Sequence, residues 1–190
     1  MNKLQQRFIL SNVVGTFLHE MGHMLISDYN IPIFGKEEDA CDEFQNYYLL
    51  IDEGDKDFYG ENFEYYRKIF HEILMDNADY YYYIHNLKDD LNENPFGNHS
   101  INISRFNHAI SIMYGADKNY FTKYFKKRGI DLNLVNEGET KYWNIRMNWE
   151  NKRKKNINKG YEGNFVVTYK KTDKFKKYKE LIEESDILNH

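Results

Sequence analysis

The spacing of apolar residues predicts a long helix at the start of the chain. From residue 4 to residue 25, apolar side chains recur at steps of three and four and cover most of the helix circumference. The remaining polar positions form a narrow stripe at the same spacing: Asn12, Thr16, His19, His23 and Ser27. A helix that is apolar nearly all round is typical of a protein interior. We therefore expect this helix to be buried, with a polar stripe that needs a partner or a metal ion.

A turn and a second helix are predicted next. Pro32 and Gly35 favour a turn, and a helix is expected from about Lys36. Glu37, Glu38 and Asp39 would occupy its first turn, where the positive end of the helix dipole favours carboxylates. The turn sends the chain back, so the second helix can lie against the first.

The remaining pattern predicts further helices with little β structure. In chain order we expect a polar loop at 52–62, a helical stretch at 63–91 with a break, a turn at 92–100, helices at 101–117, 118–129 and 139–156, a strand at 165–169 and a charged helix at 174–187. The predicted fold class is mainly α with minor β. The predicted domains are residues 1–150 and a tail, residues 151–190, made of a basic linker, the strand and the last helix.

Composition indicates a folded chain. Its 190 residues are 41% hydrophobic and include 17 Tyr and 13 Phe, which is far too aromatic for a disordered protein. The single cysteine, Cys41, cannot form an intramolecular disulfide. The apolar stretch at 8–26 contains His19, Glu20 and His23, so it is a poor signal peptide and a poor membrane span. We expect no membrane association and a cytoplasmic chain as given, or a secreted one if it is part of a longer precursor.

The charges are distributed unevenly. The first 95 residues carry 7 basic and 19 acidic side chains, and the last 95 carry 19 basic and 11 acidic ones. An acidic half packed against a basic half is favoured over a basic surface for nucleic acid. Basic residues alternate with acidic ones, and no nucleic-acid-binding motif is present. We therefore expect no nucleic-acid partner.

The motif His19-Glu20-Met21-Gly22-His23 carries the most specific chemistry. Two histidines four residues apart on a helix can bind one zinc ion, and the glutamate then lies beside the water that zinc activates. The simpler alternative is a pair of core histidines with satisfied hydrogen bonds. Glycine inside a helix costs about 1 kcal/mol relative to alanine, so Gly22 indicates close packing or a functional need. We predict His19 and His23 as zinc ligands and Glu20 as general base.

A third zinc ligand is expected from the second helix. A catalytic zinc ion needs three protein ligands and an open position, and Glu38 is the favoured candidate. Asp42, one turn later, could accept a hydrogen bond from the non-ligating nitrogen of a zinc histidine. Asp42 as the direct ligand is the main alternative.

Two sequence blocks resemble a known family. The segment "FLHEMGHMLI…IPIFGKEEDACDEF" and the later "NHSINISRFNHAISIMYGAD" are similar, in the same order, to bacterial proteins assigned as zinc metallopeptidases. The resemblance implies a zincin-like helical core with a zinc ion held by His19, His23 and Glu38. It also implies that Glu20 is the catalytic base. His99 matches the histidine of the second block, where it could stabilise an oxyanion or cap a helix as an ordinary turn histidine.

The sequence therefore predicts a zinc-dependent metallopeptidase that acts on a peptide or protein substrate. A catalytically inactive zinc-binding or protein-interaction module of the same fold is the alternative. Arg105 and Tyr114 also match the second block, and we expect each to be structural, in an ion pair or a core contact.

Overall fold

The computed structural model describes residues 1–33, 35–87, 97–135 and 138–157, without the side chains of 134 and 152–157. These residues contain helices, turns and no strand, so the mainly α prediction is confirmed. Residues 1 to 151 form one compact unit. The predicted strand at 165–169 and helix at 174–187 lie outside the described residues, and the domain division near residue 150 stays a prediction.

Helix α1 (Lys3–Asp28) carries the two histidines. It begins with a capping box, in which Asn2 accepts a hydrogen bond from the Gln5 backbone and the Gln5 side chain accepts one from the Asn2 backbone. It ends at Asp28, and Asn30, with a φ of 47°, then turns the chain out of the helix direction. The predicted helix is therefore present.

The expectation that α1 is buried nearly all round is wrong. Its buried stripe consists of six residues, three of them small: Ser11, Gly15, Leu18, His19, Gly22 and Ile26. Larger apolar side chains such as Ile9, Val13 and Phe17 are exposed instead. The helices at Glu37–Leu49 and Phe63–Leu87 pack on one side of α1, and the described residues supply no second layer for the opposite side.

Helix α2 (Glu37–Leu49) packs along α1. The turn between them contains Gly35 at a φ of 94°, a conformation in which a side chain would be strained. At the crossing, a Cβ on Gly22 would lie 3.1 Å from the Cα atom of Cys41. Gly22 is therefore explained by close packing, and this contact sets the histidines of α1 against the carboxylates of α2.

The rest of the described chain builds the support for these two helices. The expected loop at 52–62 contains short helical turns, among them α3 (Lys56–Tyr59), and α4 (Phe63–Leu87) is continuous where a break was expected. Helix α5 (Asn102–Lys127) joins the two helices predicted at 101–129, and α6 (Gly138–Ile157) matches its prediction. The core lies between these helices and includes Leu74, Ala78, Ile110, Met113, Phe121 and Phe125.

Asp117 explains the interruption inside α5. Its backbone is extended, with φ −156° and ψ 83°. Its carboxylate accepts a hydrogen bond from the Tyr120 backbone at 2.9 Å, as an N-cap residue does, and it also pairs with Arg67 of α4. The helix therefore restarts at Asp117, which accounts for the two separate helices that the sequence pattern predicts.

Ion pairs join the acidic and basic halves of the sequence. The structure contains the pairs Asp42–Arg105, Asp79–Arg128 and Asp52–Arg146. Each takes its carboxylate from the first 95 residues and its guanidinium from the last 95, as the charge pattern predicts. None of the described helices combines the length and apolar character that crossing a membrane requires.

Candidate metal centre

The two histidines of α1 lie one turn apart at the contact with α2. Their ring centroids are 5.0 Å apart. His19 is buried, with 7% of its surface exposed, and His23 is partly exposed. The pair therefore has one ring packed inside the protein and one ring at its edge.

One carboxylate oxygen of Glu38 contacts both imidazole rings. Its Oε2 atom lies 3.0 Å from Nε2 of His19 and 3.3 Å from Nε2 of His23. Helix α2 supplies this carboxylate from its first turn, as the sequence predicts. Two ring nitrogens and one carboxylate oxygen from two helices thus converge within a few ångströms.

The other ring nitrogens also contact carboxylates. Nδ1 of His19 lies 2.9 Å from Asp42, and Nδ1 of His23 lies 2.8 Å from Glu37. A neutral imidazole that donates from Nδ1 presents the lone pair of Nε2. In that tautomer both histidines direct a free lone pair toward Glu38, which is the arrangement a metal site requires.

The surrounding charges shift the pKa values of the cluster. Burial opposes a charge on His19, but its hydrogen bonds to Asp42 and Glu38 outweigh burial and raise its pKa. The hydrogen bond to Glu37 raises the pKa of His23 despite some burial. Burial also disfavours the charged form of Glu38, but the hydrogen bond to His19 and the charges of the neighbouring histidines lower its pKa. The cluster thus favours an ionised carboxylate beside the imidazoles.

Asp42 is held beneath His19 by a buried network. Arg105 of α5 donates to its two oxygens from Nε at 2.6 Å and from an Nη atom at 2.7 Å. The same guanidinium donates to the hydroxyl of Tyr81 and lies 4.2 Å from that ring. Burial disfavours the charged form of Asp42, but hydrogen bonds from His19 and Arg105 lower its pKa. Asp42 therefore lies on the side of the imidazole away from Glu38, with its oxygens already paired.

His99 approaches the centre from the turn before α5. Its Nδ1 lies 3.3 Å from Oε2 of Glu38, and its ring stacks on His19 with centroids 6.0 Å apart. The turn is tied to α2, because Lys36 donates to the His99 carbonyl and Ser100 bonds to Asp39. His99 is half exposed, at the open side of the cluster.

Glu20 follows His19 on α1 and is solvent exposed. Successive residues of a helix point about 100° apart, so Glu20 is directed away from the buried Nδ1 side of His19. The structure therefore places Glu20 on the outer face of the helix that supplies both histidines.

The donor set fits a divalent metal ion. Within the described residues, His19, His23 and Glu38 form the group whose ligand atoms all lie within 4.8 Å of one another. Two ligands held about 2.0–2.1 Å from one tetrahedral zinc ion lie about 3.3 Å apart. The separations of 3.0 and 3.3 Å between the ring nitrogens and Glu38 are close to that value.

Comparison with known proteins decides the family. A family model, DUF4344, described as "Putative metallopeptidase", matches residues 2–152. The chain belongs to this family. The family description implies a peptidase that uses a metal ion, and the matched region contains the whole His–Glu cluster. No curated protein and no solved structure matches the chain.

Three contacts of the candidate metal centre are absent from the sequence-based prediction. Glu37, which the sequence placed only in the first turn of the second helix, contacts His23. Arg105 was expected to be structural, in an ion pair or a core contact, without a named partner, and Tyr81 was not singled out. These contacts join residues 14 to 63 positions apart in the chain, so no local spacing reveals them.

Proposed function

We propose that this chain is a zinc-dependent metallopeptidase whose metal ligands are His19, His23 and Glu38. The observation that carries the proposal is the convergence of two Nε2 atoms on Oε2 of Glu38, with both Nδ1 atoms paired to carboxylates. Two histidines and one glutamate are a common ligand set of catalytic zinc. Asp42 would orient His19 instead of binding the metal, because its two oxygens are engaged by Arg105.

Zinc supplies a Lewis acid that activates water near neutral pH and polarises the substrate carbonyl. The partial exposure of His23 and of Glu38 leaves one side of the cluster open to a substrate. The buried side is closed by Asp42 and Arg105, which hold His19 in one orientation. This division supports a site with three protein ligands and one accessible position.

Glu20 would act as the general base. It follows His19 directly in the sequence and is solvent exposed. It would take a proton from the attacking water and pass it to the leaving amine. A carboxylate on the outer face suits this proton transfer, because it does not compete for a ligand position.

His99 would stabilise the negative charge that develops on the substrate carbonyl oxygen. It lies at the open side, with Nδ1 near Glu38, and its turn is fixed to α2 by Lys36 and Asp39. A fixed hydrogen-bond donor at such a position typically accelerates the reaction by about 10²–10³-fold. A turn histidine with a purely structural role would have no such effect on the rate.

The variant Glu20→Gln tests the proposal. We expect it to keep about one zinc ion per chain and the native circular dichroism spectrum, and to lose hydrolysis of a peptide library. Glu61→Gln, at another exposed glutamate, is the matched control and should retain activity. A wild-type protein that binds zinc but cleaves no peptide would instead favour the non-catalytic binding module.

A further inference from the structure

Helix α1 exposes large apolar side chains along most of its length. Each of them is between 38% and 65% exposed: Leu4, Ile9, Leu10, Val13, Val14, Phe17 and Met24. A fully exposed large side chain has an area of about 200 Å², so these fractions together correspond to roughly 700 Å². The largest apolar patch of a typical monomer is about 300–600 Å². This surface therefore exceeds what a monomer usually leaves uncovered.

Part of this surface has the spacing of a seam between two packed helices. Apolar residues recur there at alternating steps of four and three, and we name them the α1 seam: Leu10, Val14, Phe17, Met21 and Met24. This alternation is the heptad pattern of a helix that packs along another helix. Helices α2 and α4 pack on the side of α1 that carries the buried residues Ser11, Gly22 and Ile26. The α1 seam faces away from both.

The α1 seam is complementary to a second copy of itself in the antiparallel orientation. In a symmetric dimer, residue i of one copy contacts residue j of the other, and j contacts i. When Val14 lies opposite Phe17 of the other copy, Leu10 lies opposite Met21, because antiparallel helices step in opposite directions along the chain. Each apolar layer of the seam then pairs with another apolar layer.

The charges at the two ends of the α1 seam fit the same arrangement. In this pairing Lys3 of one copy lies opposite Asp28 of the other. Both side chains are exposed, and both project within about 20° of the centre of the seam. A parallel pair would instead place Lys3 beside Lys3 and Asp28 beside Asp28. Since opposite charges at the rim of an interface select its orientation, the antiparallel pair is favoured.

Other properties of α1 favour a second copy over a membrane surface. A helix that binds a membrane surface is rich in Lys and Arg on its polar face. Helix α1 contains only Lys3 and Arg7, and Arg7 is paired with Asp76. A stable protein–protein interface buries about 800 Å² on each partner, which is close to the apolar area that α1 exposes.

We propose that the chain forms a symmetric dimer in which the α1 seams of two copies pack antiparallel. The inference is independent of the proposed peptidase function. Around the helix axis, His19 projects about 180° from the centre of the seam, His23 about 140° and Glu20 about 80°. The dimer therefore leaves both candidate metal centres open, on its two outer sides. It also accounts for the apolar character of α1 on the side that the other helices leave uncovered.

Sedimentation equilibrium of the full-length protein tests the dimer. We expect an average mass that rises with concentration to twice the mass of one chain. Phe17→Lys should raise the dissociation constant at least about 100-fold and keep the native circular dichroism spectrum. Ile9→Lys, at an exposed residue about 100° from the centre of the seam, is the matched control and should dimerise as the wild type does. A wild type that stays monomeric up to about 100 μM, or equal effects of the two variants, would overturn the proposal.

Disulfide crosslinking tests the antiparallel pairing without a charge in the seam. Leu10→Cys and Met21→Cys are mixed, oxidised and analysed by intact mass spectrometry, and the native Cys41 is buried. We expect a covalent dimer that contains one chain of each variant, and little crosslinking of either variant alone. No covalent dimer in the mixture, or efficient crosslinking of each variant with itself, would overturn the arrangement.

A charge exchange tests the ends of the seam. Lys3→Glu and Asp28→Lys should each weaken dimerisation about 3–10-fold, because the dimer contains this exposed pair twice. The double variant restores opposite charges and should dimerise nearly as the wild type does. Additive weakening in the double variant would overturn the pairing of Lys3 with Asp28.

Discussion

Replacing Arg105 with methionine tests the buried network beneath the candidate metal centre. Arg105 donates to both oxygens of Asp42 at 2.6 and 2.7 Å, and the two side chains are 15% and 10% exposed. Methionine keeps much of the apolar volume but leaves the Asp42 carboxylate without its cation. Breaking one side of such a buried pair costs about 3–5 kcal/mol.

This loss is a large fraction of the stability of a typical domain, which is about 5–15 kcal/mol. For a domain of about 150 residues it corresponds to a decrease in Tm of roughly 10 °C. Urea unfolding followed by circular dichroism measures the free energy directly. Lys56→Met is the control, because Lys56 and Glu53 form a pair at 3.8 Å with both side chains about two-thirds exposed, and exposed pairs contribute little.

A double variant shows whether the loss comes from the unpaired charge. Asp42→Asn removes the carboxylate charge, so adding it to Arg105→Met should cost about 2 kcal/mol less than the sum of the single changes. A loss below about 1 kcal/mol for Arg105→Met, or strict additivity of the two substitutions, would refute the network as a source of stability.

Three further predictions concern packing, pH and metal affinity. A Cβ on Gly115 would lie 2.1 Å from the backbone oxygen of Gly138. Gly115→Ala should therefore lower the free energy of unfolding, measured with urea, by about 1–3 kcal/mol. A gain in stability would contradict this close contact of α5 and α6. Burial lowers the pKa of His71 from 6.5 to about 4. Between these two pH values the unfolded chain binds a proton that the native protein does not. The free energy of unfolding should therefore fall by about 3 kcal/mol as the pH decreases from about 6.5 to about 4. His71→Gln should lack this component, and identical pH profiles of the two proteins would exclude it. Asp42→Asn should weaken zinc binding about 10–100-fold, measured in competition with a chelating dye. Glu37→Gln, at a more exposed contact, should weaken zinc binding less. Equal effects of the two variants would contradict the role of burial.

Local sequence signals predict most of the helical framework. The periodicity of α1, the acidic first turn of α2 and the pattern of α6 each indicate a helix at the position where the structure has one. The pair of helices joined through Gly35 also follows from the sequence, because proline and glycine restrict the turn between them. Local chemistry was therefore sufficient to bring His19, His23 and Glu38 together.

The errors arise where tertiary packing decides the outcome. The apolar circumference of α1 predicted burial on all sides, but close approach to its neighbours uses Gly15 and Gly22 and leaves Val13 and Phe17 outside. Periodicity records which positions are apolar. It does not record how many layers surround a helix.

The sequence pattern also does not predict contacts between side chains that are far apart in the chain. The chain shows an arginine at position 105 and an aspartate at position 42, but only the packing of α5 against α2 joins them. In the same way, Glu37 reaches His23 because Gly22 lets the two helices approach closely. Such contacts depend on the angle and distance between helices, which spacing along one helix cannot supply.

The zinc content of the purified protein is the most direct test of the proposed metal site of His19, His23 and Glu38. Elemental analysis of the wild type and of His23→Ala gives the number of zinc ions per chain, and circular dichroism checks that both are folded. We expect about one zinc ion per wild-type chain and a large loss in the variant. A well-folded wild type that contains no zinc and takes up none on addition would contradict the proposed site.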